Sequence, residues 1–458
     1  MNTMSSDAGE PPQRSERQLY KAAWASALGS ALEYYDFALY SLYSALVFGD
    51  LFFPGESPTA ALMASFGAYF LGFAARPVGG ILFGTLGDII GRRTVLAATI
   101  MLMGVSSTLI GCLPTYAQVG VWAPAMLVVL RLLQGLGAGA EQAGASVLMS
   151  EYAPPERRGF FASLPYIGVQ VGAISAPLIV FALARWGNLA ESSWVWRVPF
   201  LLSVFVVGVA LWIRLRLHET PTFERLEARH EVARSPLKDA LTNSWRLVLT
   251  GIGLRVIEIG ASSLYQVLAV SYLVKVAGRS ASAGSLCLLI AATISAPVVA
   301  LAGAATDRFG RIRVYRSFVI LQIVLAYPAW WTFNQGELWA SAVALGLVLG
   351  VATWGLFGSQ AALLPEFFGA QRRYIGVALV REVSAPIFGG TAPIIGTAII
   401  AWAATNLGSE REAWSLLASY AVVLALITLA ATFFAPDARG RDLNSLEDAQ
   451  LRNPFRRG

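Results

Sequence analysis

The stretch Ala31-Leu32-Glu33-Tyr34-Tyr35-Asp36-Phe37-Ala38-Leu39-Tyr40 sets two carboxylates inside an apolar, aromatic run from Trp24 to Phe48. Residues three apart share a helix face, so Glu33 and Asp36 are expected to point the same way. Two like charges cannot both ionise cheaply in a low-dielectric site, so one of them is expected to hold a proton part of the time. Such a group can take up and release protons. The plainer reading is that both acids permanently hold an arginine, Arg76 or Arg131.

Other ionisable residues are embedded in apolar segments: Glu141, Glu258 and Glu382, with Arg76, Arg131, Arg255 and Arg381. Charges at membrane depth are costly and usually face a bundle interior or a wet cavity. With Glu33 and Asp36 they nearly cancel, so a neutral interior can be built from structural ion pairs. Glu141 and Glu258 are further candidates for proton exchange. Arg255 and Glu258 repeat the three-residue spacing of the opening pair and could pair on one helix face. Arg255, Arg76 or Arg131 could instead grip a carboxylate, which the planar guanidinium holds in bidentate fashion. Four such arginines favour an organic anion over a sugar. Tyr34, Tyr35, Tyr166, Tyr265 and Trp354 could line the same cavity, although packing roles suit each of them.

The elements that must position these groups follow from composition. Of 458 residues, 56% are hydrophobic and 14% charged, against about 25% charged in soluble chains. A bilayer core takes about 20 apolar residues of helix. That length predicts an all-α membrane protein with twelve spans near 21–48, 61–86, 94–114, 120–149, 160–184, 194–216, 247–275, 281–304, 314–333, 338–363, 374–404 and 412–434. Pro165, Pro177, Pro297 and Pro386 are the expected kinks. The first apolar run is too long and too acidic for a secretory leader and is expected to be retained as the first span.

Lys plus Arg number 34 and Asp plus Glu 28, a net charge of +6. The basic residues fall in alternate loops: Arg92 and Arg93, Arg157 and Arg158, the segment 214–246, Arg308, Arg311 and Arg313, and Arg372 and Arg373. The intervening loops are acidic, uncharged or mixed, apart from Lys275 with Arg279. Positive residues stay inside, so both termini are expected in the cytoplasm. This scatter is unlike the single basic stripe that suits nucleic acid, and none is expected as a partner. Cys112 and Cys287 lack partner spacing and both histidines lie in 214–246, so no disulfide, metal site or other cofactor is expected.

The chain also repeats. Gly84-x-x-x-Asp88-x-x-Gly91-Arg92 recurs 219 residues later as Gly303-x-x-x-Asp307-x-x-Gly310-Arg311. Glu151, Arg157 and Arg158 recur 215 residues later as Glu366, Arg372 and Arg373. The expected organisation is a tail at 1–20, a six-helix half at 21–216, a central loop at 217–246, a second six-helix half at 247–434 and a tail at 435–458. Parallel six-span repeats place a binding site near the midplane, between the halves.

The repeated loop motif resembles the signature of the major facilitator superfamily. Four further stretches resemble its metabolite:proton symporter family: Glu33-Tyr34-Tyr35-Asp36-Phe37, Arg76-Pro77-Val78-Gly79-Gly80, Arg131-Leu132-Leu133-Gln134-Gly135 and Ile387-Phe388-Gly389-Gly390. The resemblance covers all twelve spans. It implies a secondary active transporter in a bacterial inner membrane, taking up a small organic metabolite with protons by alternating access. An organic acid such as a mono- or dicarboxylate is the expected substrate, with a betaine- or proline-like osmolyte as the alternative and export of drugs or metabolites a weaker one. Its partners would be that small molecule, protons and the lipid bilayer, with the chain acting as a monomer. The resemblance also makes Gly84, Asp88, Gly91 and Arg92, with Asp307 and Arg311, a conformational latch between the halves and not a binding site. A membrane-embedded enzyme lacks its usual parts here: paired metal ligands and a nucleotide-binding glycine fingerprint. A channel would not call for duplicated latch loops.

Overall fold

Apolar helices form throughout because a bilayer core offers no water to satisfy backbone N–H and C=O groups, which must pair within each span. The computed structural model describes residues 16–55, 57–90, 92–139, 141–186, 194–216, 236–369, 373–443, 445 and 447–452. Among them run twelve long helices: α1 Glu16–Leu46, α2 Pro58–Ile90, α3 Arg92–Cys112, α4 Trp122–Tyr152, α5 Arg158–Trp186, α6 Val198–Arg216, α7 Trp245–Lys275, α8 Ala281–Phe309, α9 Arg311–Gln335, α10 Leu338–Phe367, α11 Arg373–Asn406 and α12 Trp414–Phe434. Nine of these described helices are long and apolar enough to cross a bilayer by themselves; shorter apolar stretches lie in α3, Ala97–Cys112, and over Val195–Val209. No strand occurs among the described residues. The expected central loop falls largely at 217–235, outside the described residues.

The expected proline positions are occupied within helices: Pro165 and Pro177 in α5, and Pro297 in α8. Pro386 lies in a wide π-type turn over Ala385–Gly390, where α11 takes in an extra residue. Two more wide turns interrupt α7 at Leu264–Ala269 and α10 at Gly346–Thr353. Such turns collect at functional sites because they redirect side chains without ending the helix. Among the described residues all three lie in the second half.

Within the first half α2 packs on α4, α3 on α6 and α5 on α1; within the second, α12 packs on α7 and α9. The halves meet where α5 lies along α8 and α2 along α11. Small residues permit the approach. A Cβ on Gly303 of α8 would stand 2.6 Å from the Gly159 carbonyl oxygen of α5. The first and last described segments lie on one face: Leu19 and Ala23 pack with Met149, Ala153 and Phe161, while the described part of the tail runs over the end of α10, where the Ala449 N–H donates to the Phe367 carbonyl at 2.8 Å.

Candidate functional site

On the face where the first and last described segments lie, here the termini face, charge holds the halves together. Asp307, at the end of α8, accepts hydrogen bonds at 2.8 Å from the backbone N–H groups of both Gly159 and Phe160, the first turn of α5. A carboxylate there meets unpaired N–H donors and the positive end of the helix dipole. Arg311 donates to the same carboxylate at 2.6 Å and grips Glu366 through two nitrogens at 3.0 and 3.1 Å. Glu366 also receives Arg158 of the first half at 3.1 Å, and Arg373 of the second half reaches Glu151 of the first at 2.7 Å. Arg158 and Arg373 are repeat counterparts, as are Glu366 and Glu151. The second sequence repeat is thus a reciprocal pair of bridges between halves, as a pseudo-two-fold axis requires. The tail braces this network: Arg158 donates to the Arg441 carbonyl at 3.0 Å, and Arg373 to that of Leu443.

The opposite face is held more weakly. Lys275 reaches Asp50 at 3.5 Å, with the Asp50 side chain 52% exposed. Exposed pairs of this kind contribute about 0–1 kcal/mol.

Of the latch residues, the second copy, Asp307 and Arg311, is in this network. In the first copy only the backbone of Gly84, Asp88 and Arg92 is described, and Gly91 lies outside the described residues.

Between the faces, at the meeting of α1, α2, α7, α10 and α11, lies a chamber lined by Tyr34, Phe37, Phe73, Arg76, Arg255, Ile259, Phe357, Arg381, Glu382 and Ala385. Its free volume, about 10 Å³, is on the scale of one water. Three guanidinium groups face this space. Arg76 lies 3.6 Å from Glu33 and is flanked by the Phe37 and Phe73 rings at 5.1 and 5.2 Å. Arg255 donates to Glu258 at 2.9 Å, Gln360 at 3.0 Å and Ser384 at 2.9 Å. Arg381 donates to the Tyr166 hydroxyl at 2.6 Å. Tyr34 meets Trp354 edge-on at 5.7 Å.

The common direction expected for Glu33 and Asp36 is not kept at their tips. Both are buried, but Glu33 turns to Arg76 while Asp36 turns into the first half, accepting from Ser203 of α6 at 2.7 Å. No guanidinium lies within ion-pair distance of Asp36 among the described residues. Arg131 shares that interior region: it stacks on the Tyr40 ring at 3.6 Å and donates to Gln134, which donates to Ser107 at 2.7 Å. Arg131 therefore does not line the chamber. Neither does Tyr265, which packs against Trp330 inside the second half at 6.1 Å. At Glu141 only the backbone is described. The chamber's Phe37, Phe73, Phe357 and Ala385, and the arginine partners Gln360 and Ser384, escaped sequence reasoning. Phe37, Phe73, Ser384 and Ala385 each lie within a turn of an embedded charge, whereas Phe357 and Gln360 stand in a run without charged residues and carry no such signal.

Comparisons agree with this architecture. Residues 22–248 match the family described as "Sugar (and other) transporter". The chain is 34% identical to the inner membrane metabolite transport protein YhjE of Escherichia coli, over 92% of this chain and 95% of that one. It is 34% identical to the citrate-proton symporter of Klebsiella pneumoniae, over 81% and 83%, and 32% identical to the proline/betaine transporter of Escherichia coli, over 90% and 82%. The solved structure of the major facilitator superfamily proton:xylose symporter XylE, bound to 6-bromo-6-deoxy-D-glucose, superposes with a TM-score of 0.70 over 94% of this chain and 99% of that one. At 18% identity that likeness concerns the fold alone. With two six-helix halves around a central chamber, and relatives this similar over most of their length, the chain belongs to the major facilitator superfamily of membrane transporters and is not an enzyme.

Proposed function

We propose that this transporter carries a small organic acid, a mono- or dicarboxylate, together with a proton, from outside the cell to the cytoplasm. The observation that carries the reading is the chamber wall, where Arg76, Arg255 and Arg381 stand against the single lining carboxylate of Glu382. Desolvated arginines spaced around one small site suit a ligand that brings its own carboxylates. The citrate-proton symporter among the relatives is consistent with this. Arg76, Arg255 and Tyr34 contact the substrate; Arg131 and Tyr265 act from behind the wall. A zwitterionic osmolyte is the second reading, favoured by the Tyr34, Phe37, Phe73 and Phe357 rings beside Glu382, since aromatic faces and a carboxylate hold quaternary ammonium groups. The proline/betaine transporter relative is in keeping with it.

Coupling rests on Asp36 or Glu33. Asp36 has a hydroxyl partner and no ion pair within reach, so it can gain or lose a proton without breaking one. Glu33 would have to release Arg76 first. Asp307 and Arg311, with Asp88 and Arg92 as the first copy, latch the halves on the cytoplasmic face while the carrier is open outward.

Uptake into proteoliposomes under an inward proton gradient, screened over mono-, di- and tricarboxylates and betaines, tests the reading. Concentrative uptake of carboxylates, abolished by a protonophore, is the expected result. Uptake confined to betaines transfers the assignment to the osmolyte reading, and no gradient-driven uptake of either class overturns both.

Orientation is tested separately. Single cysteines placed within 217–246 and 436–458 are expected to react with an impermeant maleimide only after the membrane is opened. Labelling of intact cells at either segment would reverse the topology.

A further inference from the structure

Glu382 is the single carboxylate lining the chamber, and the organic-acid reading gives it no role of its own. It is buried at 5% exposure in the first stretch of α11, before that helix's wide turn. Its stem lies over α2 of the other half: a Cβ on Gly80 would meet Glu382 Cγ at 3.7 Å. Gly80 is one helical turn beyond Arg76, on the same face. The nearby countercharges are Arg76 from the first half and Arg381 and Arg255 from the second. Yet Glu382 Oε2 is buried without a hydrogen-bond partner among the described residues. Glu258 is already engaged by Arg255 at 2.9 Å and Glu33 lies beside Arg76 at 3.6 Å. A buried carboxylate oxygen left unbonded costs free energy that structures normally avoid. Here it stands beside donors that a ligand would need.

We propose that Glu382 is a built-in competitor of the substrate: in the empty carrier its carboxylate neutralises the chamber arginines, and an anionic substrate binds by displacing it. The inference rests on the organic-acid reading. Because Glu382 belongs to α11 and Arg76 to α2, the same carboxylate draws the two halves together when no substrate is present. Arg76 keeps Glu33 of its own half as its ion-pair partner, so what the ligand relieves is the longer-range attraction of Glu382 across the boundary between the halves. The competitor also raises the apparent Kd by the fraction of time the arginines are occupied. That keeps affinity low enough for the substrate to leave on the far side. Glu382 is in this sense a positioning and specificity residue, and rejects ligands too weakly anionic to displace it.

The test is equilibrium binding of a fixed panel (acetate, succinate, citrate and glycine betaine) to purified full-length protein in nanodiscs, together with transport kinetics. Glu382→Gln keeps shape and removes the charge. It is expected to bind the preferred carboxylate of the panel about tenfold more tightly, the effect of freeing a site occupied roughly nine-tenths of the time. Its maximal transport rate is expected to fall, while Glu382→Asp keeps both values near wild type. Should Glu382→Gln not purify folded, Glu382→Ala makes the same comparison. Unchanged or weaker carboxylate binding in the charge-free variant, with the wild type binding a carboxylate normally, overturns this inference alone. A wild type that binds no carboxylate of the panel overturns the organic-acid reading, and this inference with it.

Discussion

Asp36→Asn is expected to abolish concentrative uptake while leaving exchange of substrate between equilibrated sides intact. A gradient of about one pH unit is worth about 1.4 kcal/mol per proton, enough for about tenfold accumulation at one proton per substrate. The amide keeps the size of the side chain and accepts the 2.7 Å hydrogen bond from Ser203, but it cannot titrate. The accumulation ratio is therefore expected to fall from about ten to about one. The sign follows from the two compartments. Protons load Asp36 from the acidic side and leave it on the alkaline side, so wild-type accumulation grows as the outside is made more acidic. In the variant that dependence disappears. The measurement is uptake of labelled substrate at several external pH values, with counterflow at equal pH as the control. Retained accumulation in Asp36→Asn would move the coupling role to Glu33, whose amide variant is the next to measure.

Glu366→Gln is expected to move the resting conformation. Glu366 is fully buried and answers two arginines at once, Arg311 and Arg158, each itself almost fully buried. Removing one partner of a buried ion pair costs about 3–5 kcal/mol, because the other charge is left uncompensated. That cost falls on the conformation closed at the termini face, since water entering on opening solvates both guanidinium groups. A bias of this size shifts a two-state equilibrium by two orders of magnitude or more, roughly 150- to 5,000-fold. Ser163, fully buried beside Gly303 at the meeting of α5 and α8, reports the change. In a background with Cys112→Ser and Cys287→Ser, Ser163→Cys is expected to react with impermeant maleimide from the termini face at least about tenfold faster when Glu366→Gln is present. Equal rates would show that the bridges do not set the resting state. Asp307 remains on Arg311 at 2.6 Å in either case, so the fold is expected to survive the change.

Much of the architecture was legible in the sequence because one physical demand dominates it. Spans must be apolar for about 20 residues, and the twelve runs read by that rule coincide with the helices to within a few residues. The largest departure in the first half is α1, which begins at Glu16 and not near 21. Polar residues extend that helix beyond its apolar run. The repeats were equally legible, since glycine and charge patterns stand out against a greasy background.

Positions inside the bundle were harder. Three residues along a helix leave about 60° between side chains. In a helix surrounded by neighbours, that angle sends Glu33 to α2 and Asp36 to α6. An apolar stripe would normally say which face looks where, but α7 is buried nearly all round, with Tyr265 and Glu258 both inaccessible. Sequence periodicity therefore carries no direction for either. The wide turns leave no trace in composition, because an extra residue in an apolar helix is one more apolar residue. They rotate everything beyond them, and Tyr265, inside the first of them, ends against Trp330.

Those wide turns bear on what a duplicated scaffold can recognise. Two copies of one six-helix plan, joined about an axis, would by themselves form a vestibule with matching walls, able to seat a ligand equally well in two orientations related by half a turn. Wide turns in α7, α10 and α11 alone, among the described residues, put one wall out of step with the other. The chemistry on offer differs accordingly: Arg255, Arg381 and Glu382 on one side, and Arg76 with Tyr34, Phe37 and Phe73 on the other. An unsymmetrical metabolite entering such a vestibule meets a head wall and a tail wall, and is read in a single direction.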